Sequence, residues 1–177
     1  ASLMKKHDIA VLYGEATLAG PGLVAVRGRD DRTKDVTARH VVLATGARAR
    51  SVPGFEPDRE LIWTYREAMV PKLLPASLLV LGSGAIGIEF ASFYRQLGSE
   101  VTVVEVLPRI LPAEDEEISE LARKIFTKQG MRIHTGAKLV AAERQDDAVV
   151  ATLELGEGKT ERITAQRAIS AGGITRQ

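Results

Sequence analysis

The stretch "SLLVLGSGAIGIEF", Ser77–Phe90, decides the fold of this chain. An apolar run leads directly into three glycines with the spacing Gly82-x-Gly84-x-x-Gly87. Glycines cluster in many turns, so this spacing alone is a weak signal. Here the run before the glycines predicts a buried strand, and the residues after them predict an amphipathic helix. The stretch therefore predicts the first half of a βαβ unit with a dinucleotide-binding turn.

The next segment supplies the second half of that unit. "EVTVVE" predicts a strand that ends in Glu105, about twenty residues after the glycines, as the dinucleotide fingerprint requires. In that fingerprint Gly82 permits the tight turn, Gly84 lets the backbone approach a pyrophosphate, and Gly87 lets the helix pack on the strand. Glu105 would accept hydrogen bonds from ribose hydroxyls. Its charge favours NAD over NADP, because only Arg109 nearby is basic. A βαβ unit that binds no nucleotide is the alternative.

Hydrophobic periodicity predicts two helices beyond the first strand. One spans residues 84–97 and ends before Gly98; the other starts with the acidic residues 114–117, which suit the positive end of a helix dipole, and ends at Gly130. The apolar face of the first helix is assigned to Ile86, Phe90, Phe93, Tyr94 and Leu97. The apolar face of the second is assigned to Ile118, Leu121, Ala122, Ile125 and Phe126.

The rest of the C-terminal part predicts strands. "MRIHTG" predicts a third parallel strand, and "RAISAG" predicts a last strand that rejoins the parallel sheet. Between them, residues 137–164 predict hairpins, with turns at 146–147 and 156–158. Together these elements predict an α/β fold: a Rossmann-like domain with a parallel sheet, helices and a β-meander crossover.

The N-terminal part alternates between β-prone runs and turns, which predicts an antiparallel β-meander over residues 8–50. Strands are expected over 9–18, 23–29 and 36–47, with turns at 19–22 and 30–35. The run Val41–Ala44 is continuously apolar, as expected of a strand buried on both faces. Residues 51–76 hold four of the seven prolines, which predicts a connector with one short helix around Tyr65–Met69.

Composition narrows the possible functions. The 24 basic and 23 acidic residues leave a net charge of +1, so no strong field attracts nucleic acid or a membrane. Without cysteine, the 177 residues can form no disulfide, thiolate metal site or redox dithiol. His7, His40 and His134 lack ligand-like spacing, so no metal site is expected.

Glu89 admits two interpretations. It lies one turn into the first predicted helix, inside the otherwise apolar "IGIEF". A solvated carboxylate there is favoured by the positive end of the helix dipole. A carboxylate beside the nicotinamide end of the cofactor would occupy the same position. The residue pattern alone favours neither.

Two longer stretches carry a family resemblance. "LLVLGSGAIGIEFASFYRQLGSEVTVVEVLPRILPAEDEEI", residues 78–118, resembles the NAD-binding domain of the pyridine nucleotide-disulfide oxidoreductase family, and within it the dihydrolipoamide-oxidising branch. "HVVLATGARARSVPG", residues 40–54, resembles the second flavin-contacting strand of the same family. The resemblance covers nearly the whole chain and keeps the order of its segments.

The resemblance implies a set of cofactor-contacting residues. Glu89 matches a family glutamate near the nicotinamide and flavin rings, and Ile86 would pack beside the nicotinamide. Leu139 and Gly173 match positions that line the NAD site, although "GGITRQ" departs from the usual family continuation. The implied NAD set is Gly82, Ser83, Gly84, Ala85, Ile86, Gly87, Ile88, Glu89, Glu105, Leu139 and Gly173. The implied FAD set is Gly14, Thr45, Gly46 and Ala47.

The resemblance also implies an activity and a division of the chain. Residues 1–54 would be part of the FAD domain, 55–76 a connector and 77–177 the NAD-binding domain. The intact enzyme would pass hydride between FAD and NAD, coupled to dithiol–disulfide exchange, as a homodimer serving a lipoyl-bearing 2-oxoacid dehydrogenase complex. No catalytic residue is expected in this chain, which we expect not to retain FAD or turn over alone. A cytoplasmic or mitochondrial-matrix location is implied. The alternatives are a sibling flavoprotein reductase, an NADH oxidase, or a non-catalytic dinucleotide-binding module.

Overall fold

A computed structural model describes residues 2–156 and 158–176. Contacts between Cα atoms divide them into two compact units, with the boundary between Thr45 and Gly46. The second unit therefore takes in residues 46–54, which the sequence interpretation groups with the N-terminal meander. The assignment of residues 1–54, 55–76 and 77–177 to enzyme domains stays a prediction. No helix within the described residues is long and apolar enough to span a bilayer.

The first unit is a three-stranded antiparallel meander in the order β1-β2-β3. Its elements are α1 (Ser2–Lys6), β1 (Glu15–Gly20), β2 (Leu23–Arg27) and β3 (Thr33–Thr37). The turn over Pro21 and Gly22 forms as expected. All three expected strands are shorter or shifted. Residues 9–14 lie outside β1, β2 ends at Arg27, and β3 takes up residues 33–35 of the expected polar turn.

The predicted buried strand over Val41–Ala44 is wrong. Residues 38–46 form no regular element, and the side chains of Val42 and Leu43 are 86% and 69% exposed. A strand buried on both faces needs neighbouring strands for its backbone groups and a layer over each face. No strand among the described residues pairs with this run, so its apolar side chains stay at the surface.

The second unit is the Rossmann-like α/β domain that the sequence predicts. Its helices are α2 (Tyr65–Met69), α3 (Ala85–Gln96) and α4 (Glu116–Lys128). Its strands are β4 (Ala47–Ala49), β5 (Ile62–Trp63), β6 (Ser77–Leu81), β7 (Glu100–Glu105), β8 (Arg132–Thr135), β9 (Lys138–Gln145), β10 (Ala148–Glu154), β11 (Thr160–Ala165), β12 (Arg167–Ser170) and β13 (Ile174–Arg176). A parallel sheet has the order β5-β12-β6-β7-β8, and an antiparallel meander has the order β11-β10-β9.

The parallel sheet is covered on both faces. In β6, Leu78 and Val80 pack with Tyr94 of α3 on one face, while Leu79 packs with Leu153 of the meander on the other. This alternation follows from the two-residue period of a strand. It explains why the strand reads as a continuous apolar run. The sheet is thus rigidly held, and the residues that follow its strands are fixed in place.

The apolar face assigned to α3 is wrong in detail. The buried residues are Gly87, Ile88, Ala91 and Tyr94, whereas Phe93 is half exposed. Small residues at 87 and 91 let the helix lie close to the sheet, and the half-exposed Phe93 and Leu97 lie beside the contact. Similarly, in α4 only Ala122 and Phe126 of the assigned residues pack against the core, and Ile118, Leu121 and Ile125 are exposed.

The connector and the C-terminus contain strands that the sequence interpretation missed. α2 forms where the short helix is expected, with a capping box between Thr64 and Glu67. Just before it, the two residues of β5 pair in parallel with β12. β13 pairs antiparallel with β4. Strands of two or three residues are too short for a periodic signal, so their partners define them.

Candidate dinucleotide-binding site

The turn after β6 depends on two of its three glycines for its own packing. Gly82 has a φ of +103°, and a Cβ there would lie 2.5 Å from the carbonyl oxygen of Ala171. A Cβ on Gly87 would overlap the carbonyl oxygen of Gly82. Gly84 differs from both, because its φ of −64° suits any residue and, apart from the adjoining residues, no described atom lies within 4 Å of its Cβ position. The chain itself therefore does not require a glycine at 84.

The two long helices begin differently. At α4, the side chain of Asp115 accepts a hydrogen bond from the backbone N–H of Glu117, and acidic residues fill the first turn. At α3, the first residue after the Gly84 cap is Ala85, no acidic residue lies in the first turn, and no described side chain caps it. The first-turn N–H groups and positive dipole end of α3 are thus left for an anion.

Glu105 lies at the end of β7, where only 6% of its surface is exposed. Its Oε2 accepts hydrogen bonds from the backbone N–H of Ser83 at 2.9 Å and from the Ser83 Oγ at 2.6 Å. Its Oε1 accepts one from the N–H of Leu107 at 2.9 Å. An ionised carboxylate has about four acceptor sites, so Oε1 retains capacity for a ligand hydroxyl.

A cavity of about 680 Å³ opens at the carboxyl ends of the central strands, where open α/β sheets bind ligands. It brings together six residues of the implied NAD set: Gly82, Ser83, Gly84, Glu105, Leu139 and Gly173. Its volume is in the range of small-molecule and cofactor sites. Its walls also include Val106, Leu107 and Pro112, which offer an apolar surface to a base.

Two basic residues of this cavity were missed by the sequence interpretation. Arg50 and Lys138 both line it. Lys138 directly precedes Leu139, so position alone could have suggested it, whereas Arg50 lies in the distant stretch 40–54, whose family resemblance points to the flavin and not to NAD. Arg109 is not part of the lining: its guanidinium lies 3.7 Å from the Glu116 carboxylate.

A second cavity, of about 560 Å³, is lined by two further residues of the implied NAD set. Ile86 and Glu89 line it, together with Ala47 of the implied FAD set. The rest of its lining is mostly apolar and comes from Tyr65, Ala68, Met69, Phe90, Phe93 and Ile174. Glu89 is exposed and is the only acidic side chain in this lining. The arrangement suits a flat aromatic ring system with one polar edge.

The remaining implied residues are dispersed. Ala85 is exposed at the start of α3, while Gly87 and Ile88 are buried in packing contacts. In the first unit, a Cβ on Gly14 would overlap the carbonyl oxygen of Arg27, so packing of the meander explains that glycine. Thr45 also belongs to the first unit, whereas Gly46, with open space at its Cβ position, belongs to the second.

Comparison with known proteins gives consistent matches. The family model described as pyridine nucleotide-disulphide oxidoreductase matches residues 1–177. A dihydrolipoyl dehydrogenase from Rhizobium etli is 49% identical over 97% of this chain, and one from Chlorobaculum tepidum is 41% identical over 99%. The chain spans 39% and 37% of the length of these two relatives.

Solved structures show the same fold. LpdA from Mycobacterium tuberculosis is 32% identical with a TM-score of 0.74, over 91% of this chain and 35% of its own. The HOCl-induced flavoprotein disulfide reductase RclA from Escherichia coli has a TM-score of 0.78 at 23% identity, over 99% of this chain and 39% of its own. At that identity the likeness concerns the fold alone.

Proposed function

This chain belongs to the pyridine nucleotide-disulphide oxidoreductase family, and from that membership we propose that it is the NAD(H)-binding segment of a flavin-dependent dihydrolipoamide dehydrogenase. The intact enzyme passes hydride between FAD and NAD, coupled to dithiol–disulfide exchange. It acts as a homodimer on a lipoyl-bearing 2-oxoacid dehydrogenase complex. The 49% and 41% identities to proteins named dihydrolipoyl dehydrogenase support this branch of the family.

Gly84 carries the proposal. Its backbone conformation suits any residue, and its Cβ position is open space. Gly84 nevertheless lines the cavity that also contains Glu105. A pyrophosphate bound at the uncapped N-terminus of α3 explains the glycine, because the phosphates must approach the backbone closely. Glu105 then accepts a ribose hydroxyl through Oε1.

Each of the two cavities binds one end of the dinucleotide. The cavity with Glu105 takes the adenosine half, with the base against the walls that include Leu107 and Leu139. The cavity with Ile86 and Glu89 takes the nicotinamide end beside the flavin. The cofactors supply the hydride chemistry when bound, while the chain orients them and limits their contact with water. Because the 177 residues contain no cysteine, they cannot supply the dithiol.

Calorimetric titration of the full chain with NADH tests the proposal. We expect heat of binding with NADH and weaker binding of NADPH, because Glu105 repels a 2′-phosphate. Gly84→Val should abolish NADH binding by filling the path of the pyrophosphate. Asp115→Val, which removes the cap of α4 away from the cavity, is the control for loss of a helix cap and should bind normally.

Two results would contradict the proposal. If the wild-type chain is folded but titration with NADH gives no heat of binding, the chain is a non-catalytic module. A Gly84→Val variant with normal NADH affinity would place the nucleotide elsewhere. The choice of branch is tested separately, by assaying the full-length protein for NADH formation from dihydrolipoamide. A sibling reductase or NADH oxidase would bind NADH but fail that assay.

A further inference from the structure

Ser83 joins three parts of the adenosine half of the site. It is fully buried, and both its backbone N–H and its Oγ donate to Oε2 of Glu105. Its carbonyl oxygen accepts a hydrogen bond from the N–H of Leu111 at 2.9 Å. The variable position of the glycine motif is therefore linked both to the ribose-binding acid and to the loop between β7 and α4.

The two donors of Ser83 determine which oxygen of Glu105 can meet a ligand. A carboxylate oxygen has two lone pairs, and both of those on Oε2 are taken by Ser83. Oε1 accepts only from the N–H of Leu107, so the remaining acceptor site lies on Oε1. Two hydrogen bonds to one oxygen also restrict rotation of the carboxylate, because turning it would break both.

The link through Leu111 stabilises the cavity wall. Leu111 has a φ of +47°, which is unfavourable for a leucine. Its carbonyl oxygen accepts hydrogen bonds from the backbone N–H of Glu114 and from the Oγ of Ser119. The adjacent Pro112 lines the cavity. A strained residue held by several hydrogen bonds indicates a loop with one defined conformation.

We propose that Ser83 is a positioning residue whose hydroxyl fixes the Glu105 carboxylate beside the ribose and so sets the discrimination between NADH and NADPH; this rests on the proposed function. A fixed carboxylate offers Oε1 to the 2′-hydroxyl of NADH and repels the 2′-phosphate of NADPH. Without the hydroxyl, Oε2 keeps only the hydrogen bond from the backbone N–H of Ser83, so the carboxylate is held less firmly. The hydrogen bond to NADH then weakens, and so does the repulsion of NADPH.

The test is titration of Ser83→Ala with both nucleotides in the full chain. We expect the Kd for NADH to rise about tenfold, because Oε1 is presented less firmly to the ribose, while NADPH weakens less or improves. The ratio of the two Kd values should therefore fall. In a Glu105→Ala background, Ser83→Ala should change the Kd for NADH little further, because its effect acts through the carboxylate.

Ser99→Ala is the matched control. Ser99 is also a buried serine, and its Oγ donates to the carbonyl oxygen of Pro75 at 2.6 Å, away from the cavity. This variant should lose stability without changing the ratio. If Ser83→Ala does not fold, Ser83→Cys, which has a similar size and a weaker donor, should give an intermediate ratio.

Equal weakening of both nucleotides by Ser83→Ala, or additive effects with Glu105→Ala, would overturn this inference and indicate a merely structural serine. The proposed function would survive either result, provided that the wild-type chain binds NADH. Failure of the wild-type chain to bind NADH would overturn both.

Discussion

Asp58 shows how one carboxylate can hold a loop next to the sheet. Its Oδ1 accepts hydrogen bonds from the backbone N–H groups of residues 60–62, at 2.8, 2.8 and 2.9 Å, just where β5 begins. Its Oδ2 lies 2.6 Å from Nε of Arg144 on β9. Burial opposes ionisation, but the hydrogen bonds from Arg144 and the backbone outweigh it and hold the pKa of Asp58 below its usual value.

Asp58→Asn should therefore destabilise the second unit in a pH-dependent way. The amide keeps an oxygen for the loop but loses the charge that pairs with Arg144. A carboxyl whose pKa is lowered by folding stabilises above its unfolded pKa, and that contribution is lost as the pH falls through its folded pKa. We expect a loss of about 1 kcal/mol at neutral pH that shrinks below pH 3.8.

Urea unfolding across a series from neutral to acid pH measures this difference. Glu120→Gln is the control, because Glu120 forms an exposed pair with Lys124 at 3.9 Å that should contribute little. A difference between wild type and Asp58→Asn that stayed constant with pH would rule out the charge as its cause.

Among the elements, the βαβ unit was predictable almost to the residue. The apolar strand, the glycine turn and the end of α3 before Gly98 are all local patterns, and local patterns survive folding. The buried face of α3 was predictable only in part. Tyr94 and Phe90 pack against the core as assigned. The structure also buries Gly87 and Ala91, whose small size allows the close approach but adds nothing to a periodic signal dominated by large apolar residues.

Substitutions of Gly84, which caps α3, and of Gly87, within α3, should therefore have separate effects on NADH binding and on stability. Gly87→Ala should destabilise the second unit by about 2 kcal/mol, since the overlap of its Cβ with the Gly82 carbonyl outweighs the better helix propensity of alanine. Gly84→Ala should cost less than about 1 kcal/mol, the loss of a glycine cap, yet weaken NADH binding strongly. Thermal unfolding and NADH titration of both variants check this. If Gly84→Ala lost stability while Gly87→Ala lost NADH affinity, Gly84 and not Gly87 would support the packing of the helix.

For the whole molecule, prediction from sequence succeeded where a feature is contiguous and failed where it depends on distant partners. Glu105 belongs to a motif whose spacing can be counted. Arg50 reaches the same cavity from residues 40–54, whose family resemblance concerns the flavin and not NAD. β5 forms because β12 lies beside it. The run at Val41–Ala44 forms no strand because no described strand lies beside it. Burial was inferred from apolar character, but only neighbours can provide it.

That exposed run should govern how the 177-residue chain behaves in solution. Val42 and Leu43 are adjacent and largely exposed, and contiguous exposed apolar side chains favour association. Sedimentation velocity should show concentration-dependent self-association of the chain. Combining Val42→Lys with Leu43→Lys should reduce it, because like charges now meet at the contact.

Val140→Lys is the control for added charge, since Val140 is 57% exposed on β9, outside the run. It should leave the association nearly unchanged. NADH binding should be unaffected in both variants, because none of these residues lines either cavity. Equal association of the wild-type chain and the double variant would mean that the run does not mediate it. The exposed stripe of Ile118, Leu121 and Ile125 on α4 would then be the surface to test.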